Sequence, residues 1–192
     1  MPAPQVHSFT LTPHPAAGSR AVRAITGRIS RTPRGLLVSY ALDGDLESLR
    51  VPQPRAPRFA DKLWRHTCFE LFVARRGGPR YHEWNFSPSG EWALYAFARE
   101  RERVPLGADL KPESLDPHVT ARRSPGKLEL DAVVPLDVLA PDYAGAPLAL
   151  NLSAVVEDDQ GGLSYWALAH PLDKPDFHHP EAFVLELHEV RH

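Results

Sequence analysis

One cysteine and one methionine stand in a chain of 192 residues. A lone cysteine excludes an internal disulfide and every paired-cysteine metal motif. Charge of one sign is also missing: the formal net charge is -2. Without a dense basic surface there is no electrostatic footprint for nucleic acid. The short basic clusters Arg75-Arg76 and Arg122-Arg123 read as solvated turns. No apolar run approaches the length of a bilayer, so no membrane partner is expected. The opening MPAPQVHSFTLTPHP lacks a charged segment followed by an apolar one. No secretory signal is read there, and a cytoplasmic location is expected. HExxH, EF-hand, phosphate-loop and dinucleotide signatures are absent, and neither a metal nor a cofactor is expected.

Proline, by contrast, is abundant. Twenty prolines recur along the whole chain and leave little room for long helices. Hydrophobic residues make up 43% and charged residues 24%, enough to bury a core. The length suits one domain spanning 1–192. Short apolar segments between proline and glycine punctuation predict an all-β domain. Strands are predicted at 6–11, 21–30, 35–42, 67–74, 81–87, 91–98, 118–124, 128–135, 147–158, 163–170 and 181–190. In 21–30, Val22, Ala24 and Thr26 are expected to oppose Arg23 and Ile25. The turns RRGGPR and PSG join 67–74, 81–87 and 91–98 into an antiparallel meander. Residues 99–116 are expected as a loop with a short helix near Glu100, LDVLAP (136–141) as one helical turn, and 43–66 as a long connection. About eleven strands in this length suit a two-sheet antiparallel β-sandwich, immunoglobulin- or jelly-roll-like.

Alternation assigns the strand faces. Cys68, Glu70, Phe72 and Ala74 share one face; Phe69, Leu71 and Val73 share the other. Tyr81, Glu83, Asn85 and Ser87 oppose His82, Trp84 and Phe86, and Asn151, Ser153 and Glu157 oppose Leu150, Leu152 and Ala154. Such polar rows are ordinarily the solvent side of half-buried strands. The indoles argue for more, because Trp64, Trp84, Trp92 and Trp166 all lie in or beside these strands. A ring face stacks on the CH groups of a sugar, while fixed amides and carboxylates read its hydroxyls. Core packing is expected for at least two of the four.

Catalytic and metal motifs are weaker. Cys68 sits mid-strand, with His66 two residues before it, and reads as a small buried hydrophobe rather than a nucleophile. His178 and His179 are adjacent, so their side chains diverge in an extended chain. Glu157, Asp158 and Asp159 form a turn that could hold calcium but is more commonly just solvated. Glu70 and Glu83 could be neighbours, yet adjacent strands alone do not set the carboxylate spacing of a glycosidase.

The runs LWRHTCFELFVA and YHEWNFSPSGEWALYAF, then LELDAVVPL, LALNLSAVVED, SYWAL and KPDFHHPEAFVLEL, resemble bacterial DOMON-like proteins, relatives of family 9 carbohydrate-binding modules. The resemblance implies a β-sandwich that binds haem or sugar. Its haem branch uses a methionine and a histidine as axial ligands. With Met1 the only methionine, that ligation is not expected; bis-histidine ligation stays open, and no CxxCH serves covalent attachment. The sugar branch uses aromatic clamps with polar partners. The resemblance points to Trp64 and Trp166 as the aromatics and to Arg65, Glu70, Glu83, Asn85 and His178 as the partners.

The expectation is therefore non-catalytic binding of a small polyhydroxylated ligand, a sugar or cell-wall fragment. Two alternatives remain. One is a hydrolase using a Glu70/Glu83 pair or a His-based metal site. The other is an interaction domain whose sheet edges or exposed tryptophans meet a partner protein.

Overall fold

Strands are the only extended elements that this density of proline permits. The structure is a computed structural model that describes residues 5–33, 35–107, 115–143 and 145–188. It is all-β and antiparallel. The strands are β1 (Val6–Pro13), β2 (Val22–Thr32), β3 (Gly35–Gly44), β4 (Cys68–Arg75), β5 (Tyr81–Phe86), β6 (Trp92–Arg99), β7 (Glu102–Val104), β8 (Thr120–Ser124), β9 (Lys127–Pro135), β10 (Leu148–Glu157), β11 (Leu163–Ala167) and β12 (Leu185–Leu187). A single α-helical turn, α1 (Leu136–Leu139), stands where one was expected. No helix among the described residues is long and apolar enough to cross a membrane.

The pairing runs as one path, β7-β6-β5-β4-β10-β11-β1-β2-β3-β9-β8, with β12 also on β10. The expected division into two separate sheets is not what the pairing shows, and β1 is the reason. Its residues Val6–Leu11 pair with β2, while Thr12 and Pro13 pair with Ala167 and Trp166 of β11. A strand long enough to change partners part-way along joins both sets.

Strands remote in this path meet across the core. The Tyr40 ring of β3 lies 4.9 Å from that of Phe69 on β4. The Tyr40 hydroxyl donates to the Glu70 carbonyl at 2.7 Å, and the Tyr143 hydroxyl to the Val73 carbonyl at 2.8 Å. Ile25, Ile29, Leu42, Leu71, Trp84, Leu130 and Leu152 are completely buried here, each worth roughly 1.5–3 kcal/mol. Gly27 permits the tight packing of β1 on β2 and β3. A Cβ there would meet the Ser39 carbonyl oxygen at 2.2 Å and the Phe9 ring at 2.3 Å.

Three details correct the sequence reading. A bulge between Val22 and Ala24 inverts the alternation beyond it. Ile25 and Ile29 therefore face the core, and Thr26 is only half-buried. The supposed loop after residue 99 reverses tightly through Arg101, at φ 56°, and returns as β7 with Arg103 opposite Phe97. No helix forms near Glu100, and residues 108–114 lie outside the described residues. In 181–190, Pro180–Ala182 make a 3-10 turn and only Leu185–Leu187 pair, with β10. Proline at the first position of that turn favours it over a strand; residues 189–190 lie outside the described residues.

Candidate functional site

β4 is buried on both faces except at its last residue. Phe69, Leu71 and Val73 enter the main core; Cys68, Phe72 and Ala74 enter a second cluster with Tyr81, Tyr95, Phe97 and Phe177. The polar rows are thus not a solvent face. Among Glu70, Glu83, Asn85, Asn151 and Ser153, Glu83 is the most accessible, at 5%.

Strand register arranges these groups. Ser153, Glu70 and Asn85 stand side by side across β10, β4 and β5. Asn151, Phe72, Glu83 and Tyr95 form the next row, which reaches β6. Glu70 and Glu83 are therefore diagonal neighbours on one face. Ser153 Oγ donates to Glu70 Oε2 at 3.2 Å, Cys68 Sγ lies 3.6 Å from Glu70 Oε1, and Asn85 Nδ2 donates to Glu83 Oε1 at 2.7 Å. Asn85 Oδ1 and Asn151 Oδ1 are buried acceptors without a donor.

The proline-rich stretch after β11 covers this floor. Asn151 Nδ2 donates to the Phe177 carbonyl at 3.0 Å, and the Tyr81 hydroxyl lies 2.8 Å from His178 Nδ1. Buried Asp176 holds Arg101 through Oδ1, at 2.8 Å from Nη2, and also accepts the His178 N–H at 3.0 Å. Between floor and cover lies an open cavity of about 590 Å³. Glu70 and Glu83 form its base. Tyr95, Phe97 and Tyr165 supply aromatic walls, and Trp64, Arg65, Arg101 and Arg103 stand around it with Phe177 and His178.

Five of the seven residues singled out in the sequence line this cavity: Trp64, Arg65, Glu70, Glu83 and His178. Asn85 stands behind, bonded to Glu83. Trp166 does not join them. It packs in the main core, 4% exposed, with its indole N–H donating to Ser164 Oγ at 3.1 Å. Trp84 and Trp92 are core residues as well, while Trp64 is 44% exposed. Tyr95, Phe97 and Tyr165 went unremarked in the sequence. Their signal was available for Tyr95 and Phe97, which alternate onto one face of 91–98. Arg101, Arg103 and Asp176 were hidden in segments read as irregular.

Burial disfavours charge on both acids. Glu70 is pushed up to about 8 by desolvation and by the Glu83 charge, and Glu83 to about 7 by desolvation. Desolvation also drives His178 down to about 4. Burial thus disfavours charge on both partners of the 3.7 Å approach of His178 Nε2 to Glu83 Oε2. Burial and the Glu70 charge push the Cys68 thiol well up. His66, its candidate base, instead lies 2.7 Å from Glu157 Oε2, beside Arg50. Asp158 Oδ1 accepts the N–H groups of Gln160 and Gly162. Among the described residues no group of three or more His, Cys, Asp or Glu side chains is placed to hold a metal.

No family model matches the sequence, and no curated protein matches it. A solved structure does match in fold. It is a protein from Bacteroides uniformis described as a "putative carbohydrate-binding protein". The likeness has a TM-score of 0.66 at 18% identity and covers 92% of this chain and 84% of that one. At that identity the similarity establishes the all-β fold.

Proposed function

We propose that this chain binds a small polyhydroxylated ligand, a sugar or cell-wall fragment, without catalysis, in the cavity above Glu70 and Glu83. One observation carries the reading. Two carboxyl groups, each nearly inaccessible, lie beneath aromatic walls in an open cavity of about 590 Å³, without an Arg or Lys ion pair among the described residues. Burying acids this way opposes stability. A fold keeps such groups where a ligand uses them, and perturbed acids in a cleft mark functional sites. The volume falls in the range of small-ligand sites, roughly 300–1,000 Å³. The rings of Tyr165 and Trp64 suit the CH surface of a sugar, with Tyr95 and Phe97 as the apolar wall behind them, and Glu83 with His178 suits its hydroxyls.

The carbohydrate-binding description of the Bacteroides uniformis protein supports this reading. So does the resemblance to DOMON-like proteins and family 9 modules, which implies a β-sandwich; in a two-sheet sandwich of this chain β1, which pairs with both β2 and β11, would be common to both sheets. The hydrolase alternative is less favoured, because Glu70 and Glu83 are diagonal neighbours in one floor and not on facing walls of a cleft.

A thermal-shift screen of mono- and oligosaccharides, followed by calorimetry, tests the proposal. A ligand at one hundred times its Kd adds about 2.7 kcal/mol of apparent stability. The expected shift survives a chelator and is lost in Tyr95→Ala. Failure of every sugar to bind in both measurements would remove the reading.

A further inference from the structure

Two guanidinium groups beside the cavity lie on ring faces and form no ion pair among the described residues. Arg103 lies over the Tyr95 ring, its Cζ 4.3 Å from the centroid, and Arg65 over the Trp64 ring at 5.3 Å. Neither makes a side-chain hydrogen bond or an ion pair with any described residue, whereas Arg50, Arg58, Arg99 and Arg101 each pair with an acid. Arg101, on the same strand turn as Arg103, is committed to Asp176. Asp61 and Glu83 feel the charge of Arg103 without an ion pair to it, and Asp61 Oδ1 is taken by the Tyr95 hydroxyl at 2.5 Å and the Lys62 N–H at 3.0 Å.

The Tyr95 ring is thus anchored at its hydroxyl, and it offers its face to Arg103. A cation held on a ring face still has free N–H donors at its edge. A guanidinium edge is matched in shape and charge by a carboxylate or a phosphate, which it grips in a two-bond fork. Both arginines stand around the cavity whose floor is Glu70 and Glu83. An uncharged sugar could accept single hydrogen bonds from them but would leave their charge and their forked geometry unmatched.

We propose that the ligand of this cavity is an anionic sugar, whose carboxylate or phosphate is received by Arg103 and Arg65 while its hydroxyls reach the Glu83 and His178 side. This inference rests on the proposed sugar-binding function and adds the charge of the ligand. The two arginines would be specificity-determining residues, selecting acidic over neutral sugars.

The test is calorimetric titration of the full chain with a panel of neutral hexoses, the matching hexuronates and the matching hexose phosphates. One charge-assisted fork predicts an acidic member at least about tenfold tighter than its neutral counterpart. The hexuronate and phosphate arms distinguish the two sources of charge. In an Arg65→Gln/Arg103→Gln double variant the ratio of acidic to neutral affinity should fall to about one, and the salt dependence of the acidic ligand should weaken. A melting temperature close to that of the parent chain shows that the variant is folded. Equal affinity for neutral and acidic sugars overturns the anionic assignment alone. An acidic preference that survives the double variant also overturns it, since the charge would be read elsewhere. Binding of no member, neutral or acidic, removes the sugar-binding reading together with this one.

Discussion

The Tyr81 hydroxyl and His178 Nδ1 lie 2.8 Å apart, and through them the sheet holds the segment that covers it. The same hydroxyl accepts the Arg101 N–H at 3.1 Å. Burial pushes the tyrosine up to about 12 and the histidine down to about 4, so the phenol keeps its proton and the imidazole is neutral across the physiological range. With Arg101 donating to the oxygen, the simplest complete network has Tyr81 donating to Nδ1. The His178 proton, assigned from this network, then sits on Nε2 and faces Glu83. His178 also borders a second cavity of about 710 Å³, which Tyr81 lines as well.

Tyr81→Phe should loosen the cover without unfolding the chain. The expected cost is about 0.5–1.5 kcal/mol. Native-state amide exchange should speed up around Asp176 and His178, where the covering segment loses its tie, and stay slow in β4 and β10. Unchanged exchange around Asp176 and His178 would show that the segment is held by Asn151 and Arg101 alone.

Stability should fall as pH rises from about 6.5 to about 8. Glu70 and Glu83 rise from an ordinary 4.5 to about 8 and about 7, so between those limits the folded chain holds more of their protons than the unfolded one. Their contribution is complete below 4.5 and is lost as pH climbs through the raised values. His178 and His82 work in the opposite direction. Each drops from 6.5 to about 4, and stability from them grows as pH rises between those values; His170 shifts the same way. The two sets offset one another up to about 6.5, and above it the acids act alone. Glu70 faces Cys68, Ser153 and Glu83, and Glu83 meets Asn85, His178, Arg101 and Arg103. Thermal midpoints across this range should fall by about 2–4 °C per kcal/mol for a chain of this size, and less in Glu70→Gln. A midpoint that holds level to pH 8 in the parent chain would show that the acids are not buried as a pair.

Trp64 and Trp166 should separate under substitution. Trp64→Ala removes an exposed ring, so stability should change by no more than about 0.5 kcal/mol, while ligand affinity weakens by about 0.5–1.5 kcal/mol of lost stacking. Trp166→Ala empties a core position and should cost about 3–5 kcal/mol, a midpoint drop on the order of 10 °C. Melting curves with and without ligand measure both. An unaltered midpoint in Trp166→Ala, or ligand binding indifferent to Trp64→Ala, would contradict this division.

Much of the chain was legible from local pattern. The turns RRGGPR and PSG bound the meander β4-β5-β6, and Gly77 does adopt the positive φ of 76° that a tight turn asks of glycine. The parity of β4 is as the alternation reads it, with Phe69, Leu71 and Val73 in one cluster and Cys68, Phe72 and Ala74 in the other. Parity failed in β2, where an added residue at the bulge shifted the faces. It was missed altogether in β7, where three residues are too few to show a period.

The sequence by itself determined that this is a proline-broken, all-β chain, that Cys68, Glu70 and Phe72 share a face of one strand and that Glu83 and Asn85 share a face of the next; the register that joins the two rows came from the structure. A period of two is a property of the backbone, so it can be read one strand at a time. Only the tertiary structure decided that this face is covered rather than wetted, because Phe177 and His178 arrive from about a hundred residues along the chain. It alone decided that Tyr165 borders the cavity while its neighbour Trp166 fills the core. Adjacent residues on a strand point to opposite sides of the sheet. Which side holds a cavity depends on what the rest of the chain packs against it.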